Sequence, residues 1–275
     1  MSEERPIVFT CHSTQLLGIL HESAASSEHA LIVIVGGPQY RVGSHRQFVL
    51  LAREVANAGI PVFRFDYRGM GDSMGEQRDF EGIGDDISAA IDTVFEALPG
   101  LKTVSLWGLC DAASAIAFYL DSATDERVTG AVILNPWVHD DETEAEMLVK
   151  DYYRSRASDP KEILRLLASP SRWLGAIKGI ANSLMALVSA KADRASAGSA
   201  NKLPLPARVL NGISHSKPKK LLIISGDDLT AREFLTAAKK HSGFQSAIGS
   251  ETIVQQTNED ADHTFSSKQW RDWVA

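Results

Sequence analysis

The chain has 275 residues, 44% of them hydrophobic and 23% charged, with a formal net charge of −7. This is the composition of a globular protein long enough to bury a sizeable core without disulfide or metal staples, and its acidic balance argues against nucleic acid as a partner. Its two cysteines, Cys11 and Cys110, are no disulfide framework, so both are expected to be reduced thiols in a cytoplasmic compartment.

The N-terminal MSEERPIVFT is polar and acidic and does not read as a signal peptide. Apolar or β-branched runs follow at residues 15–21, 30–35, 61–66, 103–107, 130–135, 220–225 and 251–255. Helical patterns separate most of them, at 45–57, 83–97, 111–120, 230–241 and 266–274. Strands alternating with helices imply parallel pairing and a sheet covered on both faces. The first two runs are joined by a loop too short for a crossover helix, so the sheet is expected to begin with antiparallel strands. The alternation breaks between His139 and about Pro218. The expected organisation is a core of residues 1–138 and 219–275, interrupted by a helical cap insertion at 139–218.

Within that insertion, residues 173–190 read WLGAIKGIANSLMALVSA. A membrane-spanning helix needs about 20 predominantly apolar residues. This segment carries Lys178, Asn182 and several small residues, so a helix covering a pocket is expected, with its apolar face toward Cys110. Peripheral contact with a membrane surface through 173–190 is the alternative.

The chemistry concentrates at SLWGLCDAASA, residues 105–115. Cys110 follows an apolar run and precedes a helix, at the carboxyl end of a strand, where ligands sit in a parallel sheet. A sharp strand-to-helix turn needs small neighbours, and Gly108 and Ala112 supply them. The helix N-terminus favours a thiolate, and the backbone N–H of Asp111 faces the developing oxyanion. His263, in NEDADHTFSS, and Asp228, in ISGDDLTAREF, also lie at strand carboxyl ends and complete the order nucleophile, acid, histidine. Asp227 is the rival for the acid, with Asp140 and Asp141 behind it. A second oxyanion donor is expected from VIVGGPQYRVGSH: the amide of Gly37, with Gln39 next, since Pro38 has no N–H. Gln39 and Trp137 are the candidate substrate-binding residues. Arg41, His45 and Arg46 read more simply as a solvated helix start than as an anion site, and Cys11 reads as structural. No cluster has the spacing of a metal site, and no cofactor is expected.

These stretches resemble the α/β-hydrolases. GGP at 36–38 resembles their His-Gly-Gly-Pro oxyanion loop, with Val35 where histidine is usual. DYRGMGDS at 66–73 resembles the Asp-x-Arg-Gly-x-Gly-x-Ser turn. GLCDA resembles the nucleophile elbow with cysteine in place of serine, as in dienelactone hydrolases. GGPQYRVGSHRQF, FDYRGMGDS, LWGLCDAASA, LNPW and DHTFS together resemble the exosortase A system-associated hydrolases of type 1, a bacterial family. The resemblance implies an α/β-hydrolase fold, with a mostly parallel sheet of about eight strands, helices on both faces and a helical cap. It also implies a hydrolase linked to exosortase and exopolysaccharide systems. The residues themselves point to a Cys110–Asp228–His263 triad acting on an ester, thioester or lactone of a small hydrophobic acyl substrate. An acyltransferase, or a silent scaffold binding a ligand or partner, are the alternatives.

Overall fold

A computed structural model describes residues 3–37, 39–139 and 203–275. Two compact units divide the chain: Met1–Val138 with Pro206–Ala275, and His139–Leu205. The sheet and the candidate site lie in the first. The expected helix over 173–190, Asp140 and Asp141 lie outside the described residues.

Eight strands form one sheet: β1 (Glu4–Cys11), β2 (Thr14–His21), β3 (His29–Ile34), β4 (Val62–Phe65), β5 (Thr103–Leu109), β6 (Val128–Leu134), β7 (Lys219–Asp227) and β8 (Ile253–Asp262). Their spatial order is β1-β2-β4-β3-β5-β6-β7-β8. β1, β2 and β4 pair antiparallel, and every pair from β4 to β8 is parallel. The sheet thus begins antiparallel, but the two runs expected to open it, β2 and β3, are not neighbours. β4 lies between them, and the first strand is the unforeseen β1. Among the described residues the helices are α1 (Gln47–Asn57), α2 (Gly84–Ala97), α3 (Asp111–Ser122), α4 (Leu205–His215), α5 (Leu229–Lys240), α6 (Ser242–Ala247) and α7 (Lys268–Val274).

The central strands are apolar on both faces because helices cover both. In β3, Ala30 through Ile34 are all buried, the near-continuous pattern of a sheet interior. One face packs Leu31, Val33, Trp107, Leu109 and Leu134 against Phe48, Leu51 and Ala52 of α1. Residues one step out of phase point to the opposite face. There a methyl on Gly108 would lie 2.7 Å from Ile116 Cδ1 and 2.8 Å from the Ala112 carbonyl carbon, so β5 and α3 touch backbone to backbone.

α4 falls where the insertion was expected to continue. Val209, Leu210 and Ile213 are buried, and a methyl on Gly212 would lie 2.2 Å from the Ala117 carbonyl oxygen. That close packing on α3 places the chain from Pro206 in the sheet unit rather than with the insertion, which was expected to run to 218.

The DYRGMGDS turn is held by two buried carboxylates. Asp66 accepts the Arg41 N–H at 2.6 Å and the Asp72 N–H at 3.0 Å, and pairs with the Arg41 guanidinium, whose Nη2 also donates to Asp72 at 2.6 Å. Arg41 is therefore a structural tie, while His45 and Arg46 are exposed. Arg68 donates to fully buried Asp86 through Nε at 2.9 Å and Nη2 at 2.8 Å. Arg68→Met is expected to cost about 3–5 kcal/mol, because it leaves a buried carboxylate unpaired. Arg68→Met with Asp86→Leu should recover only part of that loss, because the buried amide N–H of residue 68, which donates to Asp86 at 3.0 Å, then lacks its acceptor. Urea unfolding of the two variants measures both.

Candidate active site

β5 ends at Leu109 and α3 starts at Asp111, so Cys110 alone makes the turn. Its backbone takes φ 64° and ψ −124°, a conformation that costs a non-glycine residue about 1–3 kcal/mol and persists only where the surroundings enforce it. They do so through four hydrogen bonds. The Cys110 N–H donates to the Leu134 carbonyl at 2.9 Å. The Cys110 carbonyl accepts from Ala113 at 3.1 Å, Ser114 at 3.3 Å and Trp137 at 3.1 Å. The turn lifts the sulfur, half-buried, to the rim of the sheet beside the N-terminus of α3.

β7 and β8 bring the other two groups to that rim. Asp228 caps α5, accepting the Thr230 N–H at 3.2 Å and the Ala231 N–H at 3.1 Å. The same carboxylate accepts from His263 Nδ1 at 2.9 Å. The Asp228 side chain is only 6% exposed, so water competes little for that bond. Asp227, the last residue of β7, is exposed. With Nδ1 on Asp228, the other ring nitrogen of His263 is left for Cys110. Hydrogen bonds with Asp228 first, and then with Cys110, push the His263 pKa up to about 10 against the opposing effect of burial. The imidazolium is thereby favoured beside the Asp228 carboxylate.

Asn135 supports this rim from below. It is fully buried with φ 41°. Its Nδ2 donates to Ser225 Oγ at 2.7 Å and to the His263 carbonyl at 3.1 Å, while Oδ1 accepts the Ser225 N–H at 2.9 Å. One side chain thus ties the end of β6 to β7 and to the His263 loop. Its signal in the sequence was LNPW, a motif read only as part of the family pattern.

The oxyanion loop differs from expectation in one respect. The Gly37 N–H does lie beside the turn, but it donates to Asp111 Oδ2 at 2.7 Å. Gln39 makes a local turn instead: its N–H donates to the Gly36 carbonyl at 3.4 Å, and its Oε1 accepts the Ser44 N–H at 3.4 Å. Trp137 is half-buried, and its carbonyl accepts from Ser114 Oγ at 2.6 Å. Cys11 is buried in β1, remote in sequence and unpaired with Cys110. Among the described residues there is no group of three or more His, Cys, Asp or Glu side chains placed to hold a metal ion, and no helix long and apolar enough to cross a membrane.

Comparison with known proteins fits this architecture. A family model described as alpha/beta hydrolase fold matches residues 29–199. No curated protein matches the sequence. Among solved structures, the Pyrococcus furiosus esterase Pf2001 superposes with a TM-score of 0.62 at 17% identity, covering 99% of this chain and 90% of its own. A putative hydrolase from Agrobacterium vitis S4 gives a TM-score of 0.57 at 15% identity, covering 100% and 96%. A serine hydrolase without a lid from Xanthomonas campestris gives 0.58 at 14%, covering 100% and 93%. At such identities the likeness is one of fold.

Proposed function

Because the chain belongs to the alpha/beta hydrolase fold family, we propose that it is a cysteine-nucleophile hydrolase of esters, thioesters or lactones with a small hydrophobic acyl group. The observation that supports this best is the His263–Asp228 hydrogen bond of 2.9 Å, with Cys110 as the second influence that raises the same imidazole. The esterase and hydrolase names of the structural neighbours agree with it. The narrower sequence resemblance favours a bacterial, cytoplasmic enzyme serving exosortase-linked exopolysaccharide systems, and a reducing compartment suits a thiolate nucleophile.

In this reading Cys110 Sγ bonds to the acyl carbon, and the carbonyl π pair moves onto oxygen. The Asp111 N–H and a Gly37-side donor receive that oxyanion. Collapse breaks the bond to the leaving group, which departs with the proton of the His263 imidazolium, and a thioester remains on Cys110. Acylation removes the thiolate, one of the two partners that hold the His263 proton. The imidazole is then free to take a proton from water as the water attacks the thioester. Collapse returns the electron pair to Cys110 Sγ, releasing the acid, and Asp228 holds the ring orientation throughout.

Iodoacetamide tests the nucleophile without knowledge of the substrate. Cys110 should alkylate faster than a model thiol at neutral pH, and His263→Gln should slow it at least tenfold, because the imidazolium that stabilises the thiolate is gone. A rate equal to the model thiol and indifferent to His263 would favour the silent scaffold. A panel of short-chain esters, thioesters and lactones, run with and without an added alcohol or amine acceptor, then separates hydrolysis from acyl transfer.

A further inference from the structure

The oxyanion region is already filled by the protein itself. Asp111, the residue after Cys110, turns its carboxylate toward the loop that leaves β3. Oδ2 accepts the Gly37 N–H at 2.7 Å, and Oδ1 accepts the Ala112 N–H at 2.9 Å. The fit leaves no slack: a methyl on Gly36 would lie 2.1 Å from Asp111 Oδ1. Glycine at 36 is thus what lets the carboxylate reach the loop. An amide positioned to stabilise a developing oxyanion is engaged by an anion of the chain. Two like charges cannot share that donor, since each raises the cost of ionising the other.

We propose that Asp111 is a proton-gated latch on the oxyanion site: its carboxylate holds the Gly37 amide between turnovers, and it must take up a proton before a tetrahedral intermediate can use that amide. This rests on the hydrolase reading above and deepens it. A neutral carboxyl accepts less strongly and carries an O–H that can donate to the substrate oxygen, so protonation turns an occupant into a donor. Burial is the largest influence on Asp111 and pushes its carboxyl above the usual range, against the bonds from the amides of Gly37, Ala112 and Asp111 itself and the charge of His263. Among the described residues, the other ionisable groups beside it include Cys110, next in the chain, and Tyr67 after β4. The Tyr67 phenol is pushed up to about 12 by burial and then by the Asp111 charge, so it stays neutral. His263, pushed up to about 10, keeps its proton while Asp111 titrates. The sign follows: as pH rises through the Asp111 transition the latch closes, and ester turnover should fall.

Two measurements on the full chain test this. With 15N-glycine labelling, the Gly37 amide resonance should titrate in the acid-to-neutral range, and Asp111→Ala should make it independent of pH there. In steady-state hydrolysis of p-nitrophenyl acetate, Asp111→Ala should raise kcat/KM tenfold or more above the transition, the scale of one charge-assisted hydrogen bond, and flatten the profile below neutrality. Iodoacetamide alkylation needs no oxyanion donor and should stay faster than a model thiol in the same variant. A Gly37 resonance that ignores Asp111 overturns the latch. So does a fall in ester turnover with alkylation still fast, because Asp111 would then support the loop rather than close it. Should the wild type neither hydrolyse esters nor alkylate quickly, the hydrolase reading fails by itself, and the Gly37 titration still decides whether Asp111 holds that amide.

Discussion

Cys110→Ala is expected to lower kcat about 10⁶-fold, the loss seen when a hydrolase of this kind loses its nucleophile. The protein should remain folded. The side chain is half-buried, and alanine keeps the Cβ that the turn accommodates. The strain at φ 64° is a property of the backbone and is carried equally by alanine. A loss under about 1 kcal/mol moves Tm by no more than about 2–4 °C in a domain of this size. Cys110→Ser is the sharper experiment. A serine hydroxyl must be deprotonated as it attacks, and that assistance is worth about 10²–10⁴ in rate. The base available is an imidazole that has lost the Cys110 contribution but is still raised by the bond to Asp228, the largest influence on it, so part of it begins the reaction in its acid form. Serine should therefore lose part of that factor, and esters should survive better than thioesters. Substantial turnover of an ester by Cys110→Ala, measured on protein freed of wild-type contamination, would overturn the nucleophile assignment.

What was legible in the sequence is what local pattern encodes. The parallel half of the sheet could be read because each buried strand is an uninterrupted apolar run. The positions of Cys110 and Asp228 were legible because each stands just past such a run, with two residues between, whereas His263 was assigned from its order in the chain, after the polar NEDAD that ends β8. β1 was hidden because only Phe9 and Cys11 of its eight residues are buried, while Glu4, Arg5 and Pro6 look like a solvated tail. Pairing with β2, not its own composition, makes it a strand. β8 likewise runs through NEDAD to Asp262, further than its apolar residues indicate, because β7 offers it a partner that far. The placement of β4 between β2 and β3 is a choice of topology that a short connecting loop does not reveal. α4 was missed for a different reason. Pro204 and Pro206 mark it as a loop, yet proline is welcome in a first helical turn. Its buried positions, Pro206, Val209, Leu210, Gly212 and Ile213, keep the helical period. The side-chain chemistry of Asp111 and Asn135 was the least legible. Each depends on a partner far away in the chain: Gly37 for one, Ser225 and His263 for the other.

Asp228→Asn should lower kcat by up to about 10⁴-fold while the fold stays intact, the loss that follows when a triad carboxylate becomes an amide. The fold survives because asparagine is as good an N-cap as aspartate, so α5 keeps acceptors for Thr230 and Ala231. What changes is the charge beside His263 Nδ1. The bond to Asp228 is the largest influence raising the imidazole, ahead of Cys110. Without it the ring gives up its proton at lower pH. The active resting form in this mechanism pairs a thiolate with an imidazolium, so activity is lost as pH rises through the His263 transition. In the wild type that alkaline limb, distinct from the earlier fall that Asp111 sets at lower pH, should lie near 10; in Asp228→Asn it should move down toward the ordinary histidine value of about 6.5. Asp227→Asn is the matched control. It changes the neighbouring exposed carboxylate and should leave both the rate and the limb nearly where they were. The pH dependence of kcat/KM for the three proteins decides the matter. A limb that shifts with Asp227 and not with Asp228 moves the acid one residue back along the chain. A limb that shifts with neither means that His263 titrates without a carboxylate partner, and the triad reduces to a Cys110–His263 pair.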